Sequence, residues 1–110
     1  MRLIFSYGIA GFLLVATAQP GFAQNLGDAK AGFAYASQIC AECHAVQEGA
    51  RVSPNNKAPA FQVVANSRGM TEMALRTWFQ TSHPSMPNLV IKGKDADDVI
   101  AYILSLKRDR

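Results

Sequence analysis

Cysteine and histidine are both scarce, with two of each in 110 residues. The two cysteines are Cys40 and Cys43, so a disulfide between them would close a loop too short to constrain the unfolded chain much. A zinc site would need His83 as its fourth ligand and would require the sequence neighbours Cys43 and His44 to turn onto one metal. Charge of one sign is also lacking: eleven basic residues stand against eight acidic ones, a formal +3. So weak an excess makes no case for a nucleic-acid partner. There is no internal repeat, no strand pair and no low-complexity tract, and 110 residues leave no room for a second domain.

What the chain does have is concentrated in Cys40-Ala41-Glu42-Cys43-His44, which holds both cysteines and one of the two histidines in five consecutive residues. A thioredoxin-like dithiol shares this cysteine spacing but should follow a strand of a βαβ unit, and no strand pattern precedes Cys40. Two thiols three positions apart can each add to a vinyl group of one haem, and the adjacent imidazole can then reach the iron. Only this reading uses Cys40, Cys43 and His44 in their order. It predicts one covalent haem c, with His44 as proximal iron ligand.

The chain opens with Met1-Arg2 and an apolar segment through Val15-Ala16 that Ser6, Gly8 and Gly11 interrupt. That pattern predicts a secretory leader. Gly21 and Ala23 suit the positions a signal peptidase reads, so residues 1–23 are expected to be removed, with cleavage after Ala18 as the alternative. The apolar run is short for a bilayer span and Pro20-Gly21 follow it closely, so no stable membrane insertion is expected after cleavage. Residues 24–110 would then form one domain of 87 residues, and loss of Arg2 leaves ten basic against eight acidic residues, a net +2. A domain this small buries little apolar surface, so a large planar cofactor would supply part of its core.

Periodicity predicts an all-α chain. Asp28 offers an N-cap for a helix over 29–39, with Gly32, Tyr35, Ala36 and Ile39 along one stripe. Two of these are small enough to let another helix approach closely. Residues 45–58 carry Gly49, Pro54, Asn55 and Asn56 without periodicity and read as a loop. A short helix is expected to begin at 57–61, with Pro59 in its first turn, and to end near 66–69. Thr71 caps a third helix over 72–80, with Leu75, Trp78 and Phe79 on its core face. Asp95 is expected to cap the last helix, with Asp97 and Asp98 in the first turn and Lys107 and Arg108 in the last. Val99, Tyr102, Ile103 and Leu106 form its apolar face, suited to the small-residue face of the first helix.

The second chemically informative stretch is Thr81-Ser82-His83-Pro84-Ser85-Met86-Pro87. The prolines push His83 and Met86 toward extended backbone and give a stiff loop able to present a thioether in a fixed place. Met86 is the candidate distal ligand. Met70 and Met73 compete for the role, the second from within a helix, and His83 is its rival as a nitrogen donor.

Taken in order, Gly27-Asp28 with Gly32, then Cys40 to His44, then His83-Pro84-Ser85-Met86-Pro87, then Val99-Ile100-Ala101-Tyr102-Ile103 resemble the motifs of the bacterial class I cytochromes c. The similarity covers essentially the whole of 24–110. It argues against the four-helix cytochromes c′, whose haem motif lies near the C-terminus. The resemblance implies the cytochrome c fold, with N- and C-terminal helices crossing at Gly32 and Tyr102 and with short helices and loops around one haem. It implies thioether attachment at Cys40 and Cys43, His44 and Met86 as axial ligands, and a proline carbonyl accepting from the proximal imidazole. Pro59 fits that last position best, and Pro54 is the alternative. Mitochondrial relatives carry a ring of lysines around the haem edge, whereas here only Lys57, Lys92 and Lys94 fall near the presumed ligand loops. The expected activity is one-electron transfer in the periplasm by a monomer whose partners are dehydrogenases, reductases or oxidases, rather than catalysis. A permanent electron-entry subunit of a larger dehydrogenase uses the same chemistry. A peroxide- or gas-binding haem protein would instead need Met86 absent or displaceable.

Overall fold

The computed structural model describes residues 3, 14–18, 27–81, 86 and 89–108. Most of the expected leader over 1–23 lies outside these residues, as do His83, Pro84, Ser85 and Pro87. The described elements are four helices, α1 (Ala29–Ile39), α2 (Phe61–Ala65), α3 (Glu72–Gln80) and α4 (Gly93–Ser105). The fold is all-helical, as the periodicity predicts.

The frame is the crossing of α1 and α4. A Cβ built on Gly32 would stand 1.9 Å from the backbone oxygen of Asp98 and 2.9 Å from Cβ of Tyr102. Only glycine permits that approach. Ala36, one turn further along α1, is completely buried, and Val99, Ile100 and Ile103 of α4, with Leu106 at its C-cap, fill the centre of the molecule. Phe33 adds a ring contact with Tyr102, their centroids 5.1 Å apart. Ile39 lies nearly two turns beyond the crossing and is 45% exposed, so the predicted stripe is buried at Gly32 and Ala36 but not at its far end.

Asp28 caps α1 as predicted, its carboxylate accepting from the backbone N–H groups of Lys30 (2.9 Å) and Ala31 (3.3 Å). The beginning of α4 differs from expectation. Its N-cap is Lys92, with no side-chain cap, and Asp95 falls inside the first turn, because Gly93 adopts φ +59° and starts the helix two residues before Asp95. Asp98 is buried rather than solvated. It accepts the backbone N–H of Asp28 at 2.8 Å and pairs with Lys94 at 2.5 Å, which fastens the start of α1 to α4. Lys107 and Arg108 lie beyond the end of α4, so they do not occupy its last turn. Lys107 instead donates to the carbonyl of Met70.

Thr71 caps α3 through its hydroxyl, which accepts from Ala74 N–H at 3.1 Å. Leu75 and Phe79 are buried, while Trp78 is 53% exposed and so is not the core residue the periodicity suggested. A nine-residue helix packing on α4 alone covers a narrow stripe, and Trp78 falls on its edge. Arg76 joins the two helices by bridging Glu72 and Asp97, each at 2.8 Å.

The candidate haem-attachment site

Cys40 ends α1. Its N–H donates to Ala36 O at 2.8 Å, and its own carbonyl accepts from Cys43 N–H (3.2 Å) and His44 N–H (2.9 Å). One helical turn therefore carries all three residues, and the three-residue spacing sets both cysteines toward the same side of it. Both cysteines are free, Cys40 buried and Cys43 exposed. Burial pushes the Cys40 thiol up to about 11. A dithiol built for disulfide exchange needs the opposite shift, toward the thiolate, so the thioredoxin-like reading finds no support in this environment.

The turn is tied down on every side. Cys43 O accepts from Asn55 N–H at 3.1 Å, Ala45 N–H donates to the Ser53 hydroxyl at 2.9 Å, and Ala45 O accepts from Phe61 N–H at 2.9 Å. The Tyr102 hydroxyl, reaching from α4, donates to Val46 O. Burial is the main cause that raises its pKa, with Glu48 adding to the effect. These partners cannot be read from the motif itself, because they come from loops and helices whose approach is settled only in the folded chain. An Asn-rich turn, in which Asn55 Oδ1 accepts from Lys57 N–H at 2.9 Å, was the one local signal for how the loop bends back.

That loop delivers Pro59. Its carbonyl lies 2.6 Å from Nδ1 of His44. A carbonyl only accepts, so Nδ1 carries the hydrogen and the lone pair of the neutral ring resides on Nε2, away from the contact. Pro59 does not sit in the first turn of α2, as the sequence suggested: the N-cap is Ala60 in extended conformation, and α2 begins at Phe61. The Phe61 ring packs beside His44 with centroids 5.3 Å apart and also meets Tyr102 at 6.4 Å. Sequence reasoning did not single out Phe61 for this place.

Of the distal candidates, Met86 is partly buried and packs against the hydrophobic core, as does Met70. Met73 is 77% exposed. His83 and the flanking prolines fall outside the described residues. Among the described residues no group of three or more His, Cys, Asp and Glu side chains is placed to hold a metal ion, and His83, which a zinc site would need, lies outside them. Two thiols on one turn, an imidazole with its free lone pair oriented by a backbone carbonyl, and an aromatic ring beside it form a donor set that fits a covalently held haem.

The chain is similar to a protein named cytochrome c-552 from Bradyrhizobium diazoefficiens, with 32% identity over 95 residues that cover 86% of this chain and 90% of that protein. No protein-family model matches the chain. No solved structure matches it.

Proposed function

The chain belongs to the class I c-type cytochromes, proteins that act in electron transfer, and from that premise we propose that it is a periplasmic monohaem carrier with His44 and Met86 as axial ligands. The observation that carries the proposal is the 2.6 Å contact between His44 Nδ1 and the Pro59 carbonyl, which leaves Nε2 as the only ring nitrogen free to bind iron. When bound, haem supplies a ferric–ferrous couple whose potential a thioether ligand and burial both raise.

The chain's own residues then have distinct roles. Cys40 and Cys43 would hold the group as thioethers, each S–H adding across one vinyl double bond so that no oxidant or reductant is needed. Pro59 fixes the imidazole's tautomer and makes His44 a more basic ligand. Phe61 restricts the ring's rotation and excludes water from that side. Met86, partly buried against the core, would supply a thioether as the second iron ligand. No helix among the described residues is long and apolar enough to cross a membrane; the leader is removed after Ala23 and the domain is exported. Partners are oxidoreductases that meet the haem edge transiently.

Met86 decides between a carrier and a ligand-binding haem protein. The ferric holoprotein should be low-spin, and the ferrous form should bind carbon monoxide slowly or not at all at neutral pH. Met86→Ala should open the iron, lower the potential and admit carbon monoxide, whereas Met73→Ala and His83→Ala should stay low-spin. Rapid carbon monoxide binding by the unmutated protein would overturn the carrier reading. Loss of the low-spin state in His83→Ala would move the ligand from Met86 to His83.

A further inference from the structure

Away from the haem-attachment turn, α2 and the segment that follows α4 border an open cleft of about 410 Å³, lined by Arg51, Gln62, Val63, Asn66, Ser67 and Arg108. Its size lies within the range of small-ligand sites. The floor is a closed set of amide bonds. Gln62, itself buried, accepts from Gly49 N–H at 2.8 Å and donates to Leu106 O at 2.7 Å. Asn66 donates to Gln62 O (2.8 Å) and Leu106 O (3.3 Å) and accepts from Arg108 N–H at 3.0 Å. The Ser67 hydroxyl is spent on Val63 O at 2.9 Å.

These bonds hold the backbone of Arg108 to the cleft, whose lining also includes Arg51, and leave the two guanidinium groups as its available donors. Arg108 Nη2 comes within 3.9 Å of the place a Cβ on Gly49 would occupy, two residues from Arg51. Neither guanidinium has a carboxylate partner among the described residues; the ion pairs there belong to Arg76 and Lys94. The carbonyl that would attract Arg108 to the end of α4, Leu106 O, is already covered by two amide donors. Two like charges thus line one concave surface with no carboxylate paired to either among the described residues.

We propose that this cleft binds a phosphate-type oxyanion through Arg51 and Arg108. A tetrahedral dianion presents acceptor oxygens in several directions and can engage two guanidinium forks at once, whereas a single carboxylate offers one edge to one fork. Val63 supplies an apolar wall that limits solvent screening of those contacts.

The test uses the reduced holoprotein, labelled with nitrogen-15 and titrated with inorganic phosphate against sodium chloride at constant ionic strength. Saturable shifts should appear at the amides of Gly49, Arg51 and Arg108 and at the two guanidinium Nε groups. Arg51→Gln and Arg108→Gln should each weaken phosphate binding about tenfold or more, because each removes charge-assisted bonds. Lys30→Gln, on the exposed side of α1, should leave it unchanged. Vesicles of phosphatidylcholine with and without phosphatidylglycerol form the second arm: vesicle binding lost in both arginine variants assigns the oxyanion to a lipid headgroup, and saturable binding of free phosphate alone assigns it to the soluble anion. Shifts that chloride reproduces, binding that both arginine variants retain, or no binding in either arm would overturn the proposal. The readout does not involve the iron's ligands, so its failure leaves the carrier reading intact.

Discussion

Asp98 shows how much one side chain can carry when a helix crossing buries it. Its carboxylate satisfies the backbone N–H of Asp28, the residue that caps α1, and pairs with Lys94 one turn earlier on α4. The Asp28 N–H first, and Lys94 second, lower its pKa below the ordinary carboxylate value near 3.8. A group whose pKa is lower in the folded state stabilises the fold above its unfolded pKa, and that contribution disappears as pH falls through the folded value. Asp98→Asn should therefore lower the denaturant midpoint of the holoprotein at pH 7, and the gap to the wild type should shrink as pH falls below about 3.8. Equal gaps at neutral and acid pH would show that the charge plays no part. None of this was legible in the sequence, where Asp95, Asp97 and Asp98 read as one acidic helix start. What separates Asp98 is the absence of a side chain at Gly32, which lets the α4 backbone come close enough to serve the start of α1.

The crossing itself makes the sharpest demand on an element. Gly32→Ala would gain roughly 1 kcal/mol of helix propensity in an isolated helix. Here the added methyl would meet the Asp98 oxygen at 1.9 Å, and the obstacle is backbone that cannot swing aside. The clash outweighs the propensity, and the variant should lose about 1–3 kcal/mol net. Chemical denaturation of the two holoproteins measures this; a variant as stable as the wild type would mean that α1 and α4 can separate without cost.

The limits of α1 and α3 were readable because Asp28 and Thr71 are side-chain caps with local targets. The starts of α2 and α4 were not. Ahead of α2, Ala60 is extended and the carbonyl of Pro59 is held by His44, and α4 begins at a left-handed glycine after an uncapped lysine. Likewise Leu75 and Phe79 were identified as core by period alone, whereas the exposure of Trp78 depends on how much of α3 is covered by α4. The proposed attachment residues Cys40, Cys43 and His44 stood out because addition to one haem would require their spacing. Phe61, Ser53 and Tyr102, which hold that turn in place, carry no such local rule.

At the scale of the whole molecule, a domain of this length has too little apolar interior to be comfortably stable alone. The residues that would surround the haem come from the attachment turn, from the loop bearing Pro59 that is hydrogen-bonded to it, and from Met86, and a haem would add contacts to all three. Binding restricted to the folded state stabilises that state. Cys40→Ala with Cys43→Ala should consequently give a chain with low helicity and rapid proteolysis rather than a stable haem-free domain, as circular dichroism and limited proteolysis would record. A cooperative thermal transition with native helicity in the double variant would contradict it.

All of this rests on haem held covalently through Cys40 and Cys43. Acid–acetone extraction of the exported protein followed by intact-mass spectrometry tests that point most directly. The expected mass is that of the polypeptide from Gln24 plus one haem, with the colour remaining in the protein pellet. A bare polypeptide mass with the haem in the organic phase would contradict the account.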